Sequence, residues 1–107
     1  MVTEGGGITR PKLRMRRLGR TGLLVSELGF GAAHVAGSDE GEQALLRAFA
    51  LGVNFVQTGR FYRGSECMIG GALSQLPDRG ASVHVASKTF GRSRDAALLE
   101  IGRQRHL

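Results

Sequence analysis

Two side chains of this sequence could form an acid pair, because each stands just beyond the end of a predicted strand. Tyr62 follows the strand predicted over residues 53–58, and Lys88 follows the strand predicted over residues 83–87. A free tyrosine hydroxyl titrates at about 10, and a nearby ammonium lowers this pKa by stabilising the phenolate. Such a tyrosine can protonate a carbonyl oxygen while a hydride reaches the carbon. On spacing alone, an exposed tyrosine and a solvated lysine are the better interpretation, because any lysine at the end of a strand would satisfy this spacing.

The segments around these residues alternate between predicted strands and helices, after an N-terminal hairpin. Glycines at both ends of residues 19–22 predict a turn, which Leu18 and Leu23 flank. A first buried strand is predicted over residues 28–30 and ends at Gly31. The second strand, over residues 53–58, is apolar on both faces, which is typical of a strand inside a parallel sheet.

Three helices separate or follow the predicted strands. Asp39 is the expected N-cap of the first helix, with Glu42 three residues on as in a capping box, and Gly52 is placed to end this helix. Ser65 and Ser93 are the expected N-caps of the second and third helices. The helices carry apolar stripes at helical spacing: Leu45, Ala48 and Phe49; Ile69, Ala72, Leu73 and Leu76; Ala97, Leu98 and Ile101.

This order of elements predicts an α/β protein with a parallel sheet and right-handed crossovers. One strand–helix unit takes roughly 25 to 30 residues, and eight such units make roughly 250, the usual size of a (β/α)8 barrel. The 107 residues therefore fit a partial (β/α)8 TIM barrel, with a hairpin and about three β/α units. Ligands bind such folds at the carboxyl ends of the strands, here after Gly31, at residues 57–62 and at Lys88.

Several familiar kinds of site are missing from the sequence. The segment GFGAAH has glycines at 29 and 31, but His34 stands in the third glycine's place, so a Rossmann fingerprint is absent. The three histidines are scattered without metal-ligand spacing, and we expect no metal. Cys67 is the only cysteine, which suits a reducing cytoplasm. No apolar stretch approaches membrane-spanning length, and no signal peptide begins the chain.

Positive charge is concentrated near the N-terminus. The formal net charge is +6, and residues 1–20 contain six basic side chains against Glu4 alone. We predict that residues 1–14 are a disordered basic tail and that residues 15–107 form one folded piece. A basic arm can bind nucleic acid, but no aromatic residue lies among these arginines to stack on a base. We therefore expect a solvated tail without a specific nucleic-acid partner.

Three blocks of the sequence resemble the aldo/keto reductase family. They are RRLGRTGLLVSELGFGA, LGVNFVQTGRFYRGSECMIGGAL and VHVASKTFG, which follow one another in the family's order over about residues 15–101. The resemblance implies a (β/α)8 barrel whose N-terminal hairpin caps the bottom. It also implies an oxidoreductase that reduces small aldehydes or ketones with NADPH and has no Rossmann domain, in agreement with the missing fingerprint.

The resemblance also assigns roles to individual residues. The family's catalytic set is an aspartate ending strand two, a tyrosine just after it, a lysine ending strand three and a histidine ending strand four. Tyr62 and Lys88 match the tyrosine and the lysine as catalytic residues. Gln57 stands in place of the aspartate, and Gly59 in place of a small alanine. Ala32 and Gln57 fall on the cofactor-binding side, whereas the histidine has no counterpart in these residues.

These departures predict a truncated barrel without turnover of its own. Gln57 can accept a hydrogen bond from Lys88 but gives no ion pair. In the family, most contacts with NADP come from the C-terminal half of the barrel. Two alternatives stay open: a non-catalytic binding module or pseudoenzyme fragment, and a nucleic-acid-binding segment over residues 10–20. Open strand edges also predict self-association.

Overall fold

The computed structural model describes residues 13–35, 37–59, 62 and 64–104. The elements in chain order are β1 (Met15–Arg17), β2 (Leu24–Ser26), β3 (Phe30–Gly31), α1 (Asp39–Ala50), β4 (Phe55–Gln57), α2 (Ser65–Ser74), β5 (His84–Ala86) and α3 (Arg94–Gln104). Strands and helices therefore alternate after a hairpin, as the sequence predicts. Of the predicted disordered tail, all but Leu13 and Arg14 lies outside the described residues.

The N-terminal hairpin forms where the glycines predict it. β1 and β2 pair antiparallel with Arg16 opposite Val25, and a 3-10 turn over Gly19–Thr21 joins them. Gly22 follows this turn with φ of 75°, a left-handed conformation that glycine adopts without strain. The predicted hairpin is therefore confirmed.

The remaining strands form one parallel sheet in the order β3-β4-β5. In its last paired row, Gly31 lies opposite Gln57, and Gln57 lies opposite Ala86. Because the strands are parallel and in register, their carboxyl ends lie along one edge. The residues that follow them are therefore brought together at that edge.

Helix α1 begins one residue earlier than the predicted capping box requires. The N-cap is Ser38, in an extended conformation, and its Oγ accepts a hydrogen bond from the amide of Gly41 at 2.9 Å. Asp39 is instead the first helical residue, where its negative charge still favours the helix N-terminus. The predicted stop is confirmed, since Gly52 has φ of 104° just after the helix.

Of the N-caps predicted for the other two helices, one is wrong and one is confirmed. Gly64, with φ of 67°, is the N-cap of α2, so the prediction of a Ser65 cap was wrong. Ser65 lies within the helix, and its hydroxyl faces the strand ends instead. For α3 the prediction is confirmed, because Ser93 Oγ accepts a hydrogen bond from the amide of Ala96 at 3.1 Å.

A small core lies between the sheet and the first two helices. Its buried members are Ala32, Leu45, Val56, Met68, Ile69 and Ala72. Helix α3 differs, because Leu98 and Ile101 of its predicted apolar stripe are 52% and 44% exposed. The sheet also has an uncovered face, on which Val85 is 44% exposed. None of the helices within the described ranges is long and apolar enough to cross a membrane.

Asn54 joins the hairpin to the sheet. Its Oδ1 accepts a hydrogen bond from the amide of Ser26 at 2.7 Å, and its Nδ2 donates to the carbonyl oxygen of Leu24 at 3.0 Å. The same Nδ2 lies 3.5 Å from the carbonyl oxygen of Ser82, at the entrance to β5. The Asn54 side chain therefore satisfies backbone groups of β2 and of the segment before β5.

We predict that Asn54→Ala lowers the free energy of unfolding by about 1 to 3 kcal/mol, because partly buried backbone groups lose their partners. Urea unfolding at one fixed protein concentration, followed by far-UV circular dichroism, measures this change. Gln43→Ala, at an exposed position of α1, is the matched control and should change little. Equal effects of the two substitutions would contradict the bridging role of Asn54.

Candidate functional site

The edge formed by the three strand ends is held by backbone hydrogen bonds beyond the paired strands. The amide of Ala32 donates to the carbonyl oxygen of Gln57 at 3.0 Å, and the amide of Thr58 donates to that of Ala86 at 2.8 Å. The pairing therefore continues one residue past each strand. It fixes the backbone from which Lys88 and the loop containing Tyr62 leave the sheet.

Tyr62 and Lys88 meet at this edge, as the sequence predicts. The Lys88 Nζ lies 4.8 Å from the centroid of the Tyr62 ring. Both residues are partly buried. An ammonium at this distance from an aromatic ring is attracted by its negative face, so the contact favours holding the two side chains together.

The pKa of Tyr62 is held below the usual value for tyrosine. The largest cause is its side-chain hydrogen bond with Lys88, which stabilises the phenolate. Partial burial opposes this lowering, while the positive charge of Lys88 and a hydrogen bond with Gln57 support it. The structure therefore brings Gln57, Tyr62 and Lys88 close together at this edge of the sheet.

Gln57 was expected to accept a hydrogen bond from Lys88, and it also lies close enough to Tyr62 to lower the pKa of that residue. A glutamine amide carries both donors and an acceptor, so it can interact with either side chain. An amide donor facing the tyrosine oxygen favours the phenolate, whereas a carboxylate at the same place would oppose it. Gln57 thus contributes to the ionisation of Tyr62 in a way that an aspartate could not.

The two predicted cofactor-binding residues lie in different environments. Gln57 is exposed at the end of β4, beside an open cavity of about 630 Å³ between the hairpin and the sheet. Ala32 is fully buried in the core, and its amide is already paired with Gln57. Gly31 beside it is exposed, and nothing lies within 4 Å of where a Cβ would stand. A flat ligand could therefore reach Gly31 and Gln57, with Ala32 as support beneath.

A buried hydrogen bond closes the base of the loop that carries Tyr62. The hydroxyls of Thr58 and Ser65 are 2.6 Å apart, and both side chains are buried. Inside the loop, the amide of Tyr62 donates to Gly59, and the amide of Ser65 donates to Tyr62. These bonds fix the backbone of Tyr62 from both sides. Thr58 and Ser65 were not identified as site residues from the sequence.

A second side-chain contact connects the end of β5 with α2. Ser87 Oγ donates to a carboxylate oxygen of Glu66 at 3.0 Å, and Glu66 lies in the first turn of the helix. Its position next to Lys88 in the chain places this contact beside the site. Throughout the ranges that the structure describes, no three His, Cys, Asp or Glu side chains form a group that could hold a metal ion.

Comparison with known proteins points to one family. The model of the aldo/keto reductase family matches residues 27–106. The chain is 38% identical over 85 residues to L-galactose dehydrogenase of Arabidopsis thaliana, an alignment that covers 72% of this chain and 27% of that protein. It is 31% identical over 93 residues to probable aldo-keto reductase 1 of Glycine max, covering 78% of this chain and 26% of that protein.

Solved structures with the same fold include PA4992, an aldo-keto reductase candidate from Pseudomonas aeruginosa. The TM-score is 0.70 at 27% identity, and the match covers 91% of this chain and 44% of that chain. For aldo-keto reductase AKR11C1 from Bacillus halodurans the TM-score is also 0.70, at 24% identity, with 86% and 35% covered. The sequence thus spans about a quarter of the length of the two curated relatives.

Proposed function

Because this chain belongs to the aldo/keto reductase family, we propose that its strand ends supply part of a carbonyl-reducing site. The predicted partial (β/α)8 barrel agrees with the solved structures, and the described sheet is an open part of one. The observation that carries the proposal is the contact of Lys88 with Tyr62, which lowers the pKa of the tyrosine. The substrate class is a small aldehyde or ketone.

In the proposed reaction, Tyr62 donates its hydroxyl proton to the carbonyl oxygen of the substrate. The O–H bond of the tyrosine breaks as the O–H bond of the product alcohol forms, and the electron pair stays on the phenolate oxygen. The Lys88 ammonium and the Gln57 amide stabilise that phenolate by hydrogen bonds. When bound, NADPH supplies the hydride that the carbonyl carbon receives.

The residues of this chain that would contact NADP lie at the ends of β3 and β4. The open space beside Gly31 and the exposed side chain of Gln57 fit the flat nicotinamide end of the cofactor. Buried Ala32 would keep the backbone of Gly31 in place from the core side. Cys67 is free and exposed, which agrees with the proposal of a cytoplasmic protein.

We predict that the purified 107-residue polypeptide shows no carbonyl-dependent oxidation of NADPH above background. The ends of β4 and β5 supply Tyr62 and Lys88, but the family resemblance places most cofactor contacts and the catalytic histidine in later units of the barrel. The decrease of NADPH absorbance in the presence of an aldehyde measures this activity. Turnover by the polypeptide that disappears in Tyr62→Phe would contradict the prediction of inactivity while supporting the acid role.

The acid role itself is tested in a chimera. Residues 15–101 replace the matching units of an active relative, so that the remaining strands are present. We expect weak carbonyl reduction, which Tyr62→Phe lowers by about 10²- to 10⁴-fold, the usual contribution of a general acid. Ser74→Ala, at the far end of α2, is the control and should leave the rate unchanged. A folded, NADPH-binding chimera whose rate is insensitive to Tyr62→Phe would refute the proposal.

A further inference from the structure

The first turn of α2 uses its serine for a distant contact and not for capping. Gly64 is the N-cap, and a glycine has no side chain with which to cap the first amides. Serine is a favoured N-cap residue, yet Ser65 stands one position too late and its hydroxyl lies 2.6 Å from that of Thr58. Positions that break a local preference are expected to be functional or strained. The hydroxyl of Ser65 therefore serves the loop before the helix.

The backbone around this hydroxyl pair is connected to both site residues. The amide of Ser65 donates to the carbonyl oxygen of Tyr62 at 2.9 Å. The amide of Thr58 donates to the carbonyl oxygen of Ala86 at 2.8 Å, two residues before Lys88. Both hydroxyls belong to buried side chains, where a hydrogen bond is stronger than in water. The pair thus connects the loop that carries Tyr62 to the strand that leads to Lys88.

We propose that Thr58 and Ser65 are positioning residues, whose hydrogen bond closes the loop between them and sets the phenol of Tyr62 against the ammonium of Lys88. The catalytic meaning of this position rests on the proposed function. Neither hydroxyl needs to touch a substrate, because both are buried and bonded to each other. Their bond would determine how far the Tyr62 ring can move from the Lys88 Nζ, which lies 4.8 Å from its centroid.

Removing the bond should loosen the loop without detaching the helix. Helix α2 remains packed in the core through its other buried side chains, Met68, Ile69 and Ala72. In its first turn, Glu66 still accepts a hydrogen bond from Ser87 at 3.0 Å. The change therefore falls on the loop, where Tyr62 is partly buried. A loop that is no longer closed at its base has more conformations available, so Tyr62 spends less time beside Lys88.

The experiment follows phenolate absorbance during an alkaline titration of the 107-residue polypeptide. Tyr62 is the only tyrosine and the sequence contains no tryptophan, so the signal belongs to one residue. Ser65→Ala removes one oxygen atom, and Thr58→Val removes the other hydroxyl with little change in volume. We expect each substitution to move the titration midpoint at least halfway towards that of free tyrosine, because Lys88 is the largest cause of the lowered pKa of Tyr62.

Three controls separate the bond from the loss of a hydroxyl or of packing. Ser74→Ala removes a hydroxyl that donates to the carbonyl oxygen of Gly71 at 2.7 Å, at the other end of α2, and should leave the midpoint unchanged. Thr58→Ser keeps the hydroxyl and should keep the midpoint. In a Lys88→Met background, Ser65→Ala should cause a much smaller shift, since the ammonium that Tyr62 would leave is already absent.

Far-UV circular dichroism shows which variants keep their helices. An unchanged midpoint in either Ser65→Ala or Thr58→Val, where that variant is folded, would overturn the proposal. A shift in Thr58→Ser as large as in Thr58→Val would overturn it too, because the role of Thr58 would then lie in packing. If neither Ser65→Ala nor Thr58→Val kept the helical signal, the bond would serve folding alone, and the proposal would be wrong.

This titration needs neither cofactor nor turnover, so it separates the inference from the proposed function. Expected shifts together with an inactive chimera would leave Thr58 and Ser65 as positioning residues and refute carbonyl reduction. An active chimera with unchanged midpoints in the folded variants would do the reverse.

Discussion

Replacing Lys88 with methionine is expected to return the ionisation of Tyr62 to the pH range of free tyrosine. The substitution removes the largest cause of the lowered pKa, the hydrogen bond, together with the charge of the ammonium. Methionine keeps an unbranched stem that can still cover Gly59. Phenolate absorbance during an alkaline titration measures the change, and the single tyrosine makes the signal unambiguous.

Arg47→Met is the matched control for loss of one positive charge. Arg47 lies in the last turn of α1, which leads into the start of β4 and so lies at the opposite end of the sheet from the site. Its removal should leave the titration of Tyr62 where it is. If Tyr62 titrates with the same midpoint in Lys88→Met and in the unsubstituted chain, Lys88 does not lower the pKa of Tyr62.

The lowered pKa of the Tyr62 hydroxyl also predicts how the stability of the folded chain depends on pH. Tyr62 has a lower pKa in the folded chain than in the unfolded one, so the unfolded chain binds more protons between that lower pKa and about 10. The contribution of Tyr62 to stability therefore grows as the pH rises through this window and is absent below it. In Lys88→Met this contribution should shrink, because the largest cause of the lowered pKa of Tyr62 is removed.

The second large effect is self-association of the polypeptide. Within the described sheet β4 is central, so β3 and β5 each have an edge that no described strand pairs. Exposed apolar side chains lie near the β5 edge, with Val85 at 44% and Phe90 at 49%. An unpaired edge beside apolar surface favours pairing with another chain. We expect a concentration-dependent increase in sedimentation coefficient at micromolar concentrations.

Val85→Lys should shift this equilibrium towards the monomer, because a charge on the open face opposes association. Leu51→Lys places the same charge at the end of α1, away from the sheet edge, and serves as the control. A monomer with one sharp thermal transition would contradict the prediction. That result would favour the alternative of a self-sufficient binding module.

The alternating fold could be predicted because its signals are local and repeated. Hydrophobic periodicity, turn glycines and the end of α1 at Gly52 depend on neighbours in the sequence. The precise caps could not be predicted in the same way. Ser38 and Asp39 are both good N-cap residues, and the direction from which the chain enters the helix selects Ser38. At α2, Ser65 makes a buried bond to Thr58, and Gly64 becomes the cap.

The site shows the same division between local and long-range information. Tyr62 and Lys88 could be placed together because parallel strands bring their carboxyl ends to one edge. The approach of Gln57 to Tyr62 and the course of the Lys88 stem past Gly59 depend on side-chain directions, which spacing does not define. The exposure of Leu98 and Ile101 could not be predicted from the sequence either. Periodicity identifies an apolar face of a helix but not what covers that face.

Asn54 also determines when the N-terminal hairpin can dock during protein synthesis. The hairpin leaves the ribosome before its anchor, because Asn54 lies 28 residues after Ser26, and Ser82 lies 28 residues later still. Contacts between distant positions form late, because the intervening chain must first be ordered. The nascent hairpin must therefore wait, with Val25 and Ser26 uncovered, until β4 and the start of β5 have emerged. The two hairpin strands are therefore synthesised before β4 and β5 but dock onto the sheet after these strands have formed.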